Sequence, residues 1–357
     1  METHEAKLKE VINDVTSPDT EWLEKARDRT SQLVMPPRAL GRLHEISERL
    51  CSMGRTLSPR TDNKAIVVMA GDHGVVEEGV SAFPREVTMA MLQTFLAGGA
   101  GINAMAKQVD ADVYVADIGV AGDFDPSGTP NADHYFSLKV ARGTENFCNG
   151  PAMTREQAAR AVLAGYEVAD ALFDKGLDIL GTGDMGIGNT TPSAAVGCVI
   201  CGSTTDIMVG RGTGVDDEGL ARKRDAVRRA IELNKPEASD GLDVLGKVGG
   251  YEIGGIAGLC LAAARRGKPV VVDGFISTAG ALIAATLCPE ARQFMFSGHQ
   301  SEEVGHRTML AHLGLDPILD LGMRLGEGTG GAVAMGVIDA AARMIREVFT
   351  FEEANIM

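Results

Sequence analysis

Residues 64–70 read Lys-Ala-Ile-Val-Val-Met-Ala, a short and nearly continuous apolar run closed by Gly71. Such runs suit strands buried on both faces of a parallel sheet. Similar runs recur at 112–116, 178–180, 269–272 and 293–296, and helical, often alanine-rich stretches lie between or after them at 85–96, 154–174, 217–233, 253–266, 279–287 and 302–313. This alternation predicts an α/β domain with a mostly parallel sheet flanked by helices. The first 55 or so residues have a different texture. Segments 21–33 and 38–53 read as helices, the second with Leu40, Leu43, Ile46 and Leu50 at three- and four-residue intervals, and Pro36-Pro37 separates them. A long amphipathic helix at 332–349 can pack on these N-terminal helices. The expected division is a small helical domain from residues 1–58 plus 332–357 and a large α/β domain from 59–331.

In open parallel sheets ligands bind at the carboxyl ends of the strands. Here those ends are Gly71-Asp72-His73-Gly74, the stretch from Gly181 to Thr191, Asp273-Gly274 and Ser297-Gly298-His299-Gln300-Ser301. Composition then adds weight to the same places. The chain has 44 glycines in 357 residues, well above an ordinary frequency of about 7%, and they concentrate on the predicted strand ends. Thirty-four Lys plus Arg against 49 Asp plus Glu give a net charge of −15. A phosphate backbone or an anionic membrane would be repelled by most of such a surface, so neither nucleic acid nor membrane is an expected partner. The first ten residues are charged throughout and lack a signal-peptide core, and the six cysteines are scattered as reduced thiols would be; a cytoplasmic protein is expected.

Several motifs carry candidate chemistry. Gly181-x-Gly183-x-x-Gly186 matches a dinucleotide fingerprint in form, but Asn189, Thr190, Thr191 and Pro192 follow it, which suit an anion site at a helix start better than NAD. Gly326-x-Gly328-x-x-Gly331 matches the same pattern, which lowers its weight. Arg222, Lys223 and Arg224 form a basic cluster in an acidic chain; the ordinary reading is a solvated helix face, and the functional one gives Lys223 a phosphate. Glu327 stands alone among glycines after an apolar segment, either complementing the positive end of the following helix or serving as a partly desolvated general base. Cys198-Val199-Ile200-Cys201 lies in an apolar stretch and reads as core packing. His306 and His312 read as surface or loop residues, His73 and His299 as either loop or site residues, and no histidine has metal-site spacing.

Taken together, seven segments in order resemble the nicotinate-nucleotide:dimethylbenzimidazole phosphoribosyltransferase family. They are residues 36–43 (Pro-Pro-Arg-Ala-Leu-Gly-Arg-Leu), Gly71-Asp72-His73-Gly74-Val75, residues 79–84 (Gly-Val-Ser-Ala-Phe-Pro), residues 186–192 (Gly-Ile-Gly-Asn-Thr-Thr-Pro), residues 210–214 (Gly-Arg-Gly-Thr-Gly), residues 297–301 and residues 326–330. The resemblance implies a Rossmann-like α/β domain with a small helical domain built from both chain ends, a homodimer, and transfer of phosphoribose from nicotinate mononucleotide to a benzimidazole-type base. No metal and no cofactor are implied, because the pyridinium leaves neutral. By resemblance Glu327 takes the place of the general base, Ser81 and Leu325 belong to the base pocket, and Asp184, Gly186, Asn189, Gly212, Lys223 and Ser301 hold the nucleotide. Asp184 stands where the family often has Glu. Two other classes fit parts of the inventory: an NAD-dependent oxidoreductase using the Gly181–Gly186 segment, and a nucleotide-binding protein without turnover.

Overall fold

The computed structural model describes residues 3–212 and 214–356; Thr213, in the expected 210–214 turn, lies outside them. Seven strands form one parallel sheet: β1 (Lys64–Gly71), β2 (Ala111–Gly119), β3 (Tyr135–Ser137), β4 (Ile179–Met185), β5 (Val270–Val272), β6 (Met295–Ser301) and β7 (Pro317–Met323). Their order across the sheet is β3-β2-β1-β4-β5-β6-β7. The winding reverses between β1 and β4, and a crevice for ligands opens at such a switch point. Burial explains why two central strands carry unbroken apolar runs: β1 beyond Lys64 and all of β5 are buried.

Two strands carry no such run. β3 has three residues, and β7 lies at the sheet edge with Asp320, Leu321 and Gly322 exposed. The segment expected as a strand at 293–296 also shifts. A short 3-10 turn, Pro289–Phe294, precedes β6, and β6 continues to Ser301 through its pairing with β7. Residues 297–301 are therefore strand rather than strand-end loop, and the next helix starts only at His306.

Helices cover both faces. Their starts follow local chemistry: Thr154 and Gln157 form a capping box for helix Arg155–Asp174, and Asp216 caps Asp217–Asn234 through the Gly219 amide. Helices Thr20–Ser31 and Arg42–Gly54 pack with the far half of Thr329–Glu347, burying Ala26, Cys51 and Ile345 together. The two chain ends are tied further by Val34 N–H donating to Phe349 O at 2.9 Å and Phe351 N–H donating to Gln32 O at 2.9 Å. The near half of Thr329–Glu347 lies against the sheet, where Met335 meets Gly181. Among the described residues no helix is long and apolar enough to cross a membrane.

Helix Arg155–Asp174 crosses Tyr251–Arg265 backbone to backbone. A Cβ at Gly165 would fall 1.9 Å from Gly255 O, so this helix keeps a glycine at a cost of about 1 kcal/mol in propensity. Gly165→Ala is expected to lower unfolding free energy by about 3 kcal/mol or more, because neither backbone can retreat. Gly150→Ala, which meets nothing within 4 Å, should stay within about 0.5 kcal/mol. Urea denaturation of both variants checks the contrast.

Candidate functional site

The loop after β7 carries the carboxylate that the sequence set among glycines. Glu327 has φ 63°, between Gly326 at 81° and Gly328 at 96°, and three left-handed residues in succession turn the chain from β7 into helix Thr329–Glu347. Buried Asp273, just past β5, holds that turn: its carboxylate accepts from Gly328 N–H at 3.2 Å and Gly331 N–H at 2.8 Å. Asp273, and not Glu327, thus complements the start of helix Thr329–Glu347. Glu327 instead reaches the N-terminus of helix Gly101–Gln108, where Oε2 accepts from Ile102 N–H at 3.0 Å. Burial raises its carboxyl above the ordinary range and the charge of Asp273 adds to this, against the Ile102 and Gly101 amides, which lower it. Only 7% of Glu327 is exposed.

Asp184, at the end of β4, is buried beside Gly326, and its Oδ2 accepts from Asn189 Nδ2 at 3.0 Å. Burial, then the charges of Asp273 and Glu252, push its carboxyl well above the usual range. Gly186 packs at the switch point itself: a Cβ there would fall 2.2 Å from Gly71 O. Beneath this contact His73 Nε2 lies 3.0 Å from Glu252 Oε1, both side chains buried and poorly aligned for a hydrogen bond.

A second group gathers at the start of helix Thr190–Cys201. Lys223, 1% exposed, donates from Nζ to Thr190 Oγ1 at 2.8 Å. Burial brings its ammonium down to about 8, with Glu303 opposing that shift. Of the flanking cations, Arg222 donates to Gly79 O, and Arg224 pairs with Asp206, both on the wall of the cavity described next. Lys223 is therefore not on a solvated face; it shares the buried side of its helix with Gly219, Ala226, Val227 and Ala230. That helical spacing was a signal available in the sequence. Gly212 N–H donates to Glu303 Oε1 at 2.8 Å, and Glu303 N–H donates to Ser301 Oγ at 3.3 Å. Asn189, Thr190, Gly212, Lys223 and Ser301 are thus brought together.

Beside both groups, reached through Gly101 and Thr329 on one side and Gly212 on the other, opens a cavity of about 850 Å³, lined by Phe83, Met105, Val209, Leu220, Val304 and Leu325 on its apolar side and by Asp206, Arg211, Gly212, Arg224, Glu302, Glu303 and Arg324 on its polar side. Leu325 is 59% exposed at its edge. Ser81 stands in the adjoining turn, but its hydroxyl accepts from Phe83 N–H at 3.2 Å instead of facing the cavity.

Some expectations fail here for identifiable reasons. Gly181 and Gly183 lie inside β4, so the 181–186 match is not a dinucleotide-binding turn. His306 is fully buried rather than on the surface. Its Nδ1 accepts from Ser301 N–H at 2.9 Å, which leaves the ring proton on Nε2 to donate to Thr278 Oγ1 at 2.8 Å; Thr278 in turn donates to Gly274 O at 2.8 Å. His299 is buried 3.8 Å from Asp273. No motif marked Glu252, Glu303 or His306, although His306 shares an i, i+3, i+4, i+7 spacing with Met309, Leu310 and Leu313.

Set beside known proteins, residues 15–356 match a family model described as phosphoribosyltransferase. The chain is 50% identical over 349 residues to the nicotinate-nucleotide–dimethylbenzimidazole phosphoribosyltransferase of Geobacter sulfurreducens, covering 98% of each chain. A protein of the same name from Dehalococcoides mccartyi is 50% identical over 340 residues and 95% of each chain. CobT from Thermus thermophilus superposes with a TM-score of 0.89 at 47% identity, over 94% of this chain and 98% of its own.

The tautomer fixed for His306 has a consequence for acid stability. Burial lowers its pKa from 6.5 to about 3, so its neutral form contributes stability that is complete above 6.5 and is lost as pH falls toward 3. The difference in unfolding free energy between wild type and His306→Gln is expected to be constant above pH 6.5 and to shrink below it. Urea titrations at pH 7, 5 and 4 measure this.

Proposed function

This chain belongs to the nicotinate-nucleotide–dimethylbenzimidazole phosphoribosyltransferases, and on that premise we propose that the cavity between the segments 209–212, 302–304 and 323–325 is where phosphoribose passes from nicotinate mononucleotide to the base, with Glu327 as general base. The reaction gives α-ribazole 5′-phosphate, the activated lower ligand of cobalamin, and nicotinate. The observation that carries the residue assignment is Glu327 itself: a buried carboxylate held at a helix N-terminus, beside an apolar cavity, with its basicity raised by its surroundings.

The chemistry follows from the inventory. In nicotinate mononucleotide the glycosidic bond runs from the anomeric carbon to a pyridinium nitrogen, so when it breaks the electron pair returns to the ring and neutralises it. One benzimidazole nitrogen forms the new bond from the opposite face, which inverts β to α. The ring then carries a positive charge, and Glu327 takes the proton of its other nitrogen. General-base assistance of this kind is worth about 10² to 10⁴-fold, and holding both substrates in one cavity supplies much of the remainder.

On this reading the 5′-phosphate lies at the start of helix Thr190–Cys201 on Lys223, Thr190 and the Gly212 amide, where backbone N–H groups and the helix dipole favour an anion. Ser301 borders that place, Asn189 and Gly186 shape its wall, and the Asp184 carboxyl assists with the ribose or the incoming base. The flat ring lies among Phe83, Met105 and Leu325, with Ser81 at the rim. We further propose a cytoplasmic homodimer in which the helices of both chain ends act as a small domain. Six free cysteines suit a reducing compartment, and Phe83, Val304, Leu321 and Leu325, each at least half exposed, offer apolar surface around the cavity mouth and the β7 edge.

Purified protein given nicotinate mononucleotide and dimethylbenzimidazole should release nicotinate and form α-ribazole phosphate, followed by chromatography. Glu327→Gln should lose about 10² to 10⁴-fold in kcat with the KM for mononucleotide nearly unchanged; wild-type turnover would refute the base assignment. The ammonium at about 8 gives a pH test. kcat/KM for mononucleotide should decline as pH rises through about 8, where Lys223 loses its charge, and Lys223→Met should raise KM about 10- to 100-fold and lack that decline.

A further inference from the structure

The donors assigned to the 5′-phosphate already hold an anion belonging to the protein. Glu303 stands in the turn between β6 and helix His306–Leu313, half-buried on the cavity wall. Its Oε1 accepts from Gly212 N–H at 2.8 Å. The other oxygen, Oε2, is buried with no hydrogen-bond partner and presses on Gly210, where a Cβ would lie 2.2 Å from it. Lys223 Nζ is equally close to this loop, since a Cβ at Gly212 would fall 2.8 Å from it.

A carboxylate and a phosphate make the same demand of an N–H donor and a nearby ammonium. They cannot satisfy it together, because two anions at one buried donor repel each other with little water to screen them. The present occupant is also poorly held: one of its oxygens is desolvated without a partner, a cost of about 1–3 kcal/mol that is relieved when the side chain turns toward the open cavity. We propose that Glu303 is a resident anion which holds the Gly212 loop while the site is empty and is displaced by the substrate's 5′-phosphate, so that it sets the affinity of the phosphate subsite. The inference rests on placing the phosphate at Lys223 and Gly212. A phosphate brings more charge and more acceptor oxygens than a carboxylate, so it wins the exchange, whereas a monocarboxylate such as free nicotinate does not. Glu303 thereby selects for the phosphorylated substrate at the expense of tightness.

Isothermal titration with inorganic phosphate at neutral pH tests this on wild type, Glu303→Gln, Glu303→Ala and Lys223→Met. Gln keeps the size of the side chain and removes the competing charge; Ala frees the Gly212 amide entirely. Both are expected to bind phosphate about tenfold more tightly than wild type, the scale of one charge-assisted hydrogen bond, and to lower the KM for nicotinate mononucleotide by a similar factor. Lys223→Met should bind it more weakly. If Lys223→Met weakens binding while both Glu303 variants bind phosphate no better than wild type, Glu303 is part of the loop's scaffold and the proposal is overturned with the phosphate subsite intact. If Lys223→Met binds phosphate as wild type does, the phosphate lies elsewhere and the placement falls together with the inference.

Discussion

The Asp273 carboxylate, buried at the end of the shortest central strand, joins more of this structure than any group at the cavity surface. Its two oxygens take the amides of Gly328 and Gly331, its own N–H donates to Thr182 Oγ1 at 3.2 Å, and His299 lies beside it. Through these contacts β4, β5, β6 and the last long helix meet at one ionisable group. A buried carboxylate is costly unless its acceptors are filled, and filling them requires the chain after β7 to double back through three left-handed residues. Glu327 sits in the middle of that reversal. Its position is therefore a by-product of satisfying Asp273, and its raised basicity owes something to the charge of Asp273 as well.

Backbone proximity is the second constraint. Strands β1 and β4 and the loop after β7 approach one another through main chain: Gly186 packs against Gly71 O, and Gly183 within β4 against Glu327 O, where a Cβ would fall 2.5 Å away. Side chains at these places would hold the strand ends apart and open the site. With the main chain closed up, Asp184 and Glu327 are desolvated within range of each other, while Lys223 is desolvated at Thr190 and Gly212. Burial moves each toward its neutral form, carboxyls upward and ammonium downward.

Much of the frame was legible in the order of residues. Strands buried on both faces favour apolar side chains, so β1 and β5 announced themselves, and the helices between them did so as alanine-rich stretches. Edge strands need not be apolar, and β7, half in solvent, passed unseen. The same logic hid the extension of β6: residues 297–301 are polar and look like a loop, but their backbone pairs with β7 and their side chains are buried by neighbours remote in sequence.

Candidate residues divide along the same line. Residue type and motif order pointed to Glu327, Asp184, Asn189, Gly212, Lys223 and Ser301, because anion sites and proton transfer call for particular atoms at glycine-rich turns, and that is a local property of the chain. Which oxygen meets which amide is not local. Glu303 reaches Gly212 across 91 residues, Asp273 reaches Gly331 across 58, and His306 is buried by elements packed around it rather than by its own neighbours in the chain. Sequence alone determined the alternating strand–helix frame, through periodicity within short segments, and the family, through seven short motifs in order, and it named the candidate side chains. Only the tertiary structure decided the charge states, the partner of each buried polar group and the identity of the helix that steadies Glu327, because desolvation and hydrogen-bond pairing arise only when distant segments exclude water from one another.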